Sequence, residues 1–223
     1  MNLFFKPWVN IESYNVGLKG KRILVVGASH YCKHKECSYF KQCTSSESKD
    51  SSPYNVLCQH CDRDLANSTI ETVEYFIEGA ENVSYENFSY FMIEEMKLAP
   101  DKKTLWNHFA FMNYVQYMLG SDDDNIFTAA SDIKETDYAA FKEVVSQLTP
   151  DIIIAWGKAG DDIKRHRILN NVIEGVDPNY IFDIENDGCA YRVIHCYHPC
   201  NMYSWFSNDA ENFKKQLEFL LGK

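Results

Sequence analysis

Hydrophobic positions along the chain follow two rhythms, and the switches between them outline the fold. Ile23-Leu24-Val25-Val26 is a run of branched apolar residues with no polar face. Such a run predicts a short strand, Ile23 to Val26, covered on both sides as in a parallel sheet, running into a turn opened by Gly27. Asp151-Ile-Ile-Ile-Ala-Trp-Gly157 predicts a second buried strand ending in glycine, and Tyr191 to Tyr197 a third that runs into His198-Pro199. Helical spacing appears between them. Residues 65 to 79 carry Ile70, Val73, Phe76 and Ile77 on one face, with Asn67 or Ser68 to cap the start and Gly79 to end it. Tyr85 to Leu98 reads as an aromatic-rich helix, and Thr104 to Gln116 as a helix passing into a short strand. Thr136 to Leu148 is amphipathic, with Thr136 or Asp137 as its cap; Gly160 to Ile173 and Asn208 to Leu221 complete the helices. Ser121 to Asp132 and Asp177 to Gly188 are expected as loops, and residues 1 to 20 as a lead-in whose Trp8, Val9 and Ile11 pack on the main body. Strands alternating with helices indicate an α/β domain.

Length and charge narrow this. A chain of 223 residues can bury one sizeable core, so residues 1–223 are expected as one α/β/α domain. A net charge of −10 argues against a broad phosphate-binding surface. The one basic run, Lys164-Arg165-His166-Arg167, is expected as a solvated helix face. No apolar run approaches the roughly 20 residues of a membrane span, and no signal-peptide pattern opens the chain. A cytoplasmic protein without membrane contact is therefore expected.

Residues 32–64 change character. Five of the eight cysteines fall here: Cys32, Cys37 and Cys43, then the knuckle Cys58-x2-Cys61. Between them lies a Ser- and Lys-rich stretch that cannot order itself by burial. Thiolates bracketing a polar insertion suggest a structural metal held by four of these five, with Cys32 the spare. Zinc is expected, with an iron–sulfur cluster as the lesser alternative.

Candidate chemistry gathers where strands end. Ligands of open α/β sheets bind beyond the carboxyl ends of the strands, and Ser29, His30 and Tyr31 follow the first strand there. Asn107, His108, Asn113 and Gln116 are polar groups inside an apolar run, and each needs a partner if buried. Cys196 and Cys200 flank His198, but no base is evident to activate either thiol.

Four segments together resemble the uracil-DNA glycosylase superfamily, a three-layer α/β/α sandwich with a short central parallel sheet. Gly27-Ala28-Ser29-His30-Tyr31 sits where that family has G-Q-D-P-Y-H or G-E-A-P-G. Phe111-Met112-Asn113 resembles its strand ending in Asn, Ile152 to Gly157 its strand ending in W-G, and His198-Pro199-Cys200 its H-P-S motif. The order is right if residues 32–64 are an insertion. The resemblance implies a pocket for a nucleobase, nucleotide or DNA. Gly27, Ala28, Tyr31 and Asn113 would bind the substrate there, and His198, Ser29 and His30 would act in catalysis. It implies an N-glycosidic bond hydrolase of the DNA-repair type. One departure stands out: Ser29 takes the aspartate position of one branch and Ala28 the glutamate position of another, so the chain lacks the first-motif carboxylate. The alternatives are a catalytically silent nucleotide-binding module and a metal-stapled interaction protein.

Overall fold

The computed structural model describes residues 3–45, 67–121, 128–169, 177–200 and 210–222. Its centre is a mixed, mostly parallel sheet flanked by helices on both faces. Six strands contribute: β1 (Trp8–Val9), β2 (Ile23–Gly27), β4 (Phe109–Asn113), β6 (Ile152–Trp156), β7 (Ile181–Asn186) and β8 (Cys189–Cys196). Their order is β1-β4-β2-β6-β8-β7. The inner four run parallel, with Val25 opposite both Phe111 and Ile154, and Ile154 opposite Ile194. Strands β1 and β7 close the edges antiparallel. Every residue of β2, β4 and β6 is buried, which is why these strands carry no polar face.

Alternate residues of each strand point to opposite faces, and the core splits accordingly. Ile23, Val25, Phe109, Phe111, Ile154 and Trp156 face one helical layer. That layer holds α3 (Ser68–Glu78), α4 (Val83–Tyr90) with a π-helical continuation at Phe91–Glu95, α5 (Lys102–Asn107) and α8 (Ala210–Leu220). Leu24, Val26, Ala110, Met112, Ile153 and Ala155 face the other. There lie α1 (Ile11–Val16), α6 (Glu135–Leu148) and α7 (Gly157–Ile163). A two-stranded sheet, β3 (His30–Cys32) paired with β5 (Met118–Gly120), stands beside the main one, and α2 (Phe40–Cys43) packs near it. Among the described residues no helix is long and apolar enough to cross a membrane.

Several expectations change. Residues 181–186 form a strand rather than part of a loop, its Asp183 buried but held by both forks of Arg192 at 2.6 and 3.1 Å. The lead-in contains a short strand and a helix. Helix α7 starts at Gly157 and ends at Ile163, passing into one 3₁₀ turn, Lys164–His166, instead of continuing from Gly160 to Ile173. Helix α6 begins at Glu135, and the Asp137 carboxylate caps it by accepting from Lys134 N at 2.8 Å. Gly27 closes β2 rather than opening a turn, and its φ is not positive. Its lack of a side chain is steric: a Cβ there would meet Phe111 Cζ at 2.7 Å and Asn113 Oδ1 at 2.8 Å.

Chain order against spatial order fixes where a crevice opens. From β2 the chain crosses to β4 on one side, then to β6 on the other. The carboxyl ends of β2 and β6 therefore flank a topological switch point, the usual ligand position in such sheets. Gly27→Ala is expected to cost about 1–3 kcal/mol through overpacking against Phe111 and Asn113. A urea unfolding curve superimposable on that of the wild type would contradict this account.

Candidate functional site

The carboxyl end of the sheet collects the polar residues singled out in the sequence. Asn113 ends β4 directly opposite Gly27, so its side chain lies over a residue without a Cβ. Hydrogen bonds from Tyr114 N to Gly27 O and from Val115 N to Ala28 O carry the pairing past the strand ends. They hold the Ala28–Ser29 backbone against the β4 continuation and bring the start of β3 back toward Asn113.

His30 results from this return. It is only 8% exposed, and its Nε2 lies 3.0 Å from Asn113 Nδ2 and 2.8 Å from Thr69 Oγ1. With the amide in this orientation, Asn113 donates to an unprotonated Nε2, which puts the ring proton on Nδ1; the Thr69 hydroxyl shares the same lone pair. Phe5 covers the ring at 4.5 Å between centroids, tilted by 58°. Burial pushes the His30 pKa down to about 4, so the imidazole is neutral at pH 7.

Gln116 ties the covering segment down. Its Oε1 accepts from Phe4 N and Phe5 N at 2.8 and 2.9 Å, while its Nε2 donates to Asn113 O at 2.8 Å. The Gln116 N–H in turn donates to buried Asp137 at 3.0 Å. Asn113 and Gln116, two of the polar groups within the apolar run, are thus satisfied in place. His108 likewise bonds through Nδ1 to Thr104 O at 2.8 Å.

Ser29 and Tyr31 take a second set of contacts. Ser29 Oγ and Tyr31 OH lie 2.6 and 2.9 Å from Thr128 Oγ1, forming a chain of three hydroxyls. These hydrogen bonds of Ser29, His30 and Tyr31 run to uncharged partners. Such groups orient water or a polar ligand but cannot supply a counter-charge.

His198 stands beyond β8. At about 4.8 Å per strand, β8 is roughly 10 Å from β2, a span one ligand can bridge. Its Nδ1 accepts from Cys200 N at 3.3 Å, which leaves Nε2 to carry the proton. Desolvation lowers its pKa to about 4 as well. Three neighbours seat it. Its ring stands edge-on to Trp156, with centroids 5.6 Å apart. Gly157, at φ +50°, approaches so closely that a Cβ would fall 3.1 Å from His198 Cβ. Asn87 on α4 donates to Pro199 O at 2.7 Å. Beside it the buried indole N–H of Trp156 has no hydrogen-bond partner among the described residues.

The structure thus joins His30 to Asn113 and Ser29 to Tyr31, and sets His198 across the switch point from both pairs. Thr69, Thr128 and Phe5 belong to the site although no motif of the sequence marks them, whereas Trp156 is the tryptophan of the strand ending in W-G. Neither flanking cysteine is activated. Cys196 is buried, and desolvation raises the Cys200 thiol pKa. The basic run lies at the surface, with Arg165, His166 and Arg167 exposed; Arg165 pairs with Asp162 at 3.2 Å, Lys164 donates to Asn179 O at 3.0 Å, and His166 stacks on Tyr138 at 3.6 Å.

Of the cysteines proposed as ligands, Cys32 is half-buried and Cys37 and Cys43 are buried. Cys43 packs with Val115, Tyr117 and Leu119. Among the described residues no three His, Cys, Asp or Glu side chains gather to hold a metal, so these three cysteines alone do not make the set. Cys58 and Cys61 lie outside the described residues.

A lowered histidine pKa sets the sign of the pH dependence. Between about pH 6.5 and 4 the unfolded chain binds more protons at His30 and His198 than the folded one, so stability falls as pH drops through this window. For buried His30 the effect reaches about 3 kcal/mol. Replacing it by glutamine is expected to flatten the fall in urea midpoint from pH 6.5 to 4 relative to the wild type. Parallel profiles would mean that the ring titrates normally.

No family model matches this chain, and no curated protein matches it.

Proposed function

We propose that this chain is a divergent uracil-DNA glycosylase-like protein that holds a nucleobase, free or as part of a nucleotide or DNA, at the carboxyl ends of its parallel strands. The observation that carries this proposal is the position of Gly27, His30 and Asn113 on one side of the switch point and of Gly157 and His198 on the other. Asn113 offers an amide able to pair with a base edge. His198, neutral with its proton on Nε2, offers a donor to a carbonyl oxygen. Among the described residues the buried indole N–H of Trp156, whose ring stands against His198, has no partner, which supports a ligand or water acceptor at this position, because a buried donor left unmade costs about 1–3 kcal/mol.

Chemistry at this site follows from its neutrality. Breaking an N-glycosidic bond develops positive charge on the sugar and negative charge on the leaving base. A neutral imidazole N–H can stabilise the second, worth about 10²–10³ in rate. Ser29, Tyr31 and Thr128 can orient water, but a hydroxyl does not stabilise a cation as a carboxylate does. Base binding with slow or absent excision is therefore the favoured outcome. A nucleotide-binding module without catalysis is the form this takes if excision is absent.

A metal-stapled interaction protein is the second reading, favoured by the cysteine spacing. Zinc would be held by thiolates from four of the five cysteines Cys32, Cys37, Cys43, Cys58 and Cys61 and would replace a missing core, with an iron–sulfur cluster as the lesser choice. It supplies fold stability and enters no chemical step.

Incubation with a single-stranded oligonucleotide containing uracil is expected to release little base, and His198→Ala is expected to abolish what is released. Millimolar nucleotide is expected to raise the melting temperature without being consumed. Absence of both effects would overturn the proposal. Elemental analysis of protein purified under reducing conditions is expected to find stoichiometric zinc; protein free of both zinc and iron would rule out the metal.

A further inference from the structure

We propose that the space over Asn113 is a binding pocket for a flat, neutral nitrogen heterocycle, and that the chain fills it with its own His30 ring. This deepens the nucleobase reading above, since it concerns the same amide, but it stands on separate contacts.

The His30 ring is held as a bound heterocycle would be. Its in-plane nitrogen meets two hydrogen-bonding groups, the Asn113 amide at 3.0 Å and the Thr69 hydroxyl at 2.8 Å. Phe5, itself fully buried, packs against it with the two rings tilted by 58°. The groups that hold it come from three separate parts of the chain, the amino-terminal segment, the start of α3 and the end of β4. Each is anchored independently of the ring: Phe5 through its N–H to Gln116, Asn113 through its carbonyl to the same glutamine and its register opposite Gly27, Thr69 within α3. Removing the imidazole therefore leaves polar and aromatic walls in place around a void shaped to an aromatic ring.

Sterics point the same way. Gly27 is required because a Cβ would strike Phe111 and Asn113 Oδ1, so the sheet gives up a side chain to let the Asn113 amide lie at this position. That amide then meets His30. His30 exchanges its hydration for the bonds to Asn113 and Thr69, and its pKa, lowered to about 4, records the cost of burying the ring. In the intact protein a ligand enters only when the start of β3 withdraws the ring.

The test is chemical rescue. His30→Gly is made in the full chain and titrated with free imidazole at about pH 8, where imidazole is mostly neutral. Saturable stabilisation is expected, with Tm rising by roughly 3–6 °C once imidazole reaches about ten times its Kd. The wild type, whose pocket is filled, is expected to show no saturable rise, and His30→Gly combined with Asn113→Leu is expected to lose it. A variant that folds only when imidazole is supplied supports the proposal equally. His30→Ala is run in parallel, in case glycine loosens the β3 backbone. If neither variant gains stability from imidazole, or if the wild type gains as much, the proposal is overturned. Uracil and cytosine form a separate arm. Imidazole rescue without a response to either base would leave the self-filled pocket standing and count against the nucleobase reading; a response to both would support both.

Discussion

The whole carboxyl end of the sheet depends on one close approach, that of Asn113 to Gly27 across the β2–β4 pair. Parallel strands in register ordinarily put two side chains next to each other at this point. Here one is missing, and the Asn113 amide occupies the space, with a hypothetical Cβ falling 2.8 Å from its oxygen. The amide can then meet His30 as β3 begins, and the backbone bonds from Tyr114 and Val115 keep β2 and β4 together long enough for that return. Gln116 extends the same constraint to the amino-terminal segment by bonding the backbone of Phe4, Phe5 and Asn113 with one side chain. Polar residues inside an apolar run are thus not decoration of a core. They are the joints between elements that hydrophobic burial alone would leave free to slide.

The inner strands could be read from the sequence because a strand buried on both faces has to be apolar at every position, and Ile23 to Val26 and Ile152 to Ala155 are. Strand β7 escaped because an edge strand mixes classes: Asp183, Glu185 and Asn186 sit among Ile181, Phe182 and Ile184. The Arg192 guanidinium, on the neighbouring strand, makes a buried Asp183 tolerable, and that pairing is a property of register rather than of local pattern. Helix α7 was misplaced for a similar reason. Gly157 looked like the end of a strand, yet it also begins the helix, at a positive φ that packs it under His198.

Site residues divide along the same line. His30, Asn113 and His198 have side chains distinctive enough to be noticed, and each follows a legible strand. Thr69 and Thr128 carry no such mark. They reach the site across 39 and 99 positions of sequence, and a threonine signals nothing until its partner is known. Phe5 was legible only as an apolar residue near the start. Its place over the His30 ring follows from Gln116, whose two amide atoms fix where the amino-terminal segment crosses β4. The zinc expectation differs in kind: it rests on Cys58 and Cys61 as much as on the described cysteines, of which Cys43 packs among Val115, Tyr117 and Leu119.

Neutrality is what unites the site and separates it from the chemistry its motifs resemble. Both histidines are driven to the uncharged form by burial, and both have a ring nitrogen committed within the protein, His30 to Asn113 and Thr69, His198 to the Cys200 amide. The remaining groups are hydroxyls and one amide. A site of this composition binds by hydrogen-bond matching and packing against aromatic rings, and it discriminates ligands by donor and acceptor pattern rather than charge. An oxocarbenium-like species would find polarised oxygens but no formal counter-charge, so the energy for bond cleavage would have to come from stabilising the leaving base alone. A single neutral N–H supplies only a few kcal/mol of that. The same composition is well suited to holding a neutral planar ring in its ground state, which is how the protein treats its own His30.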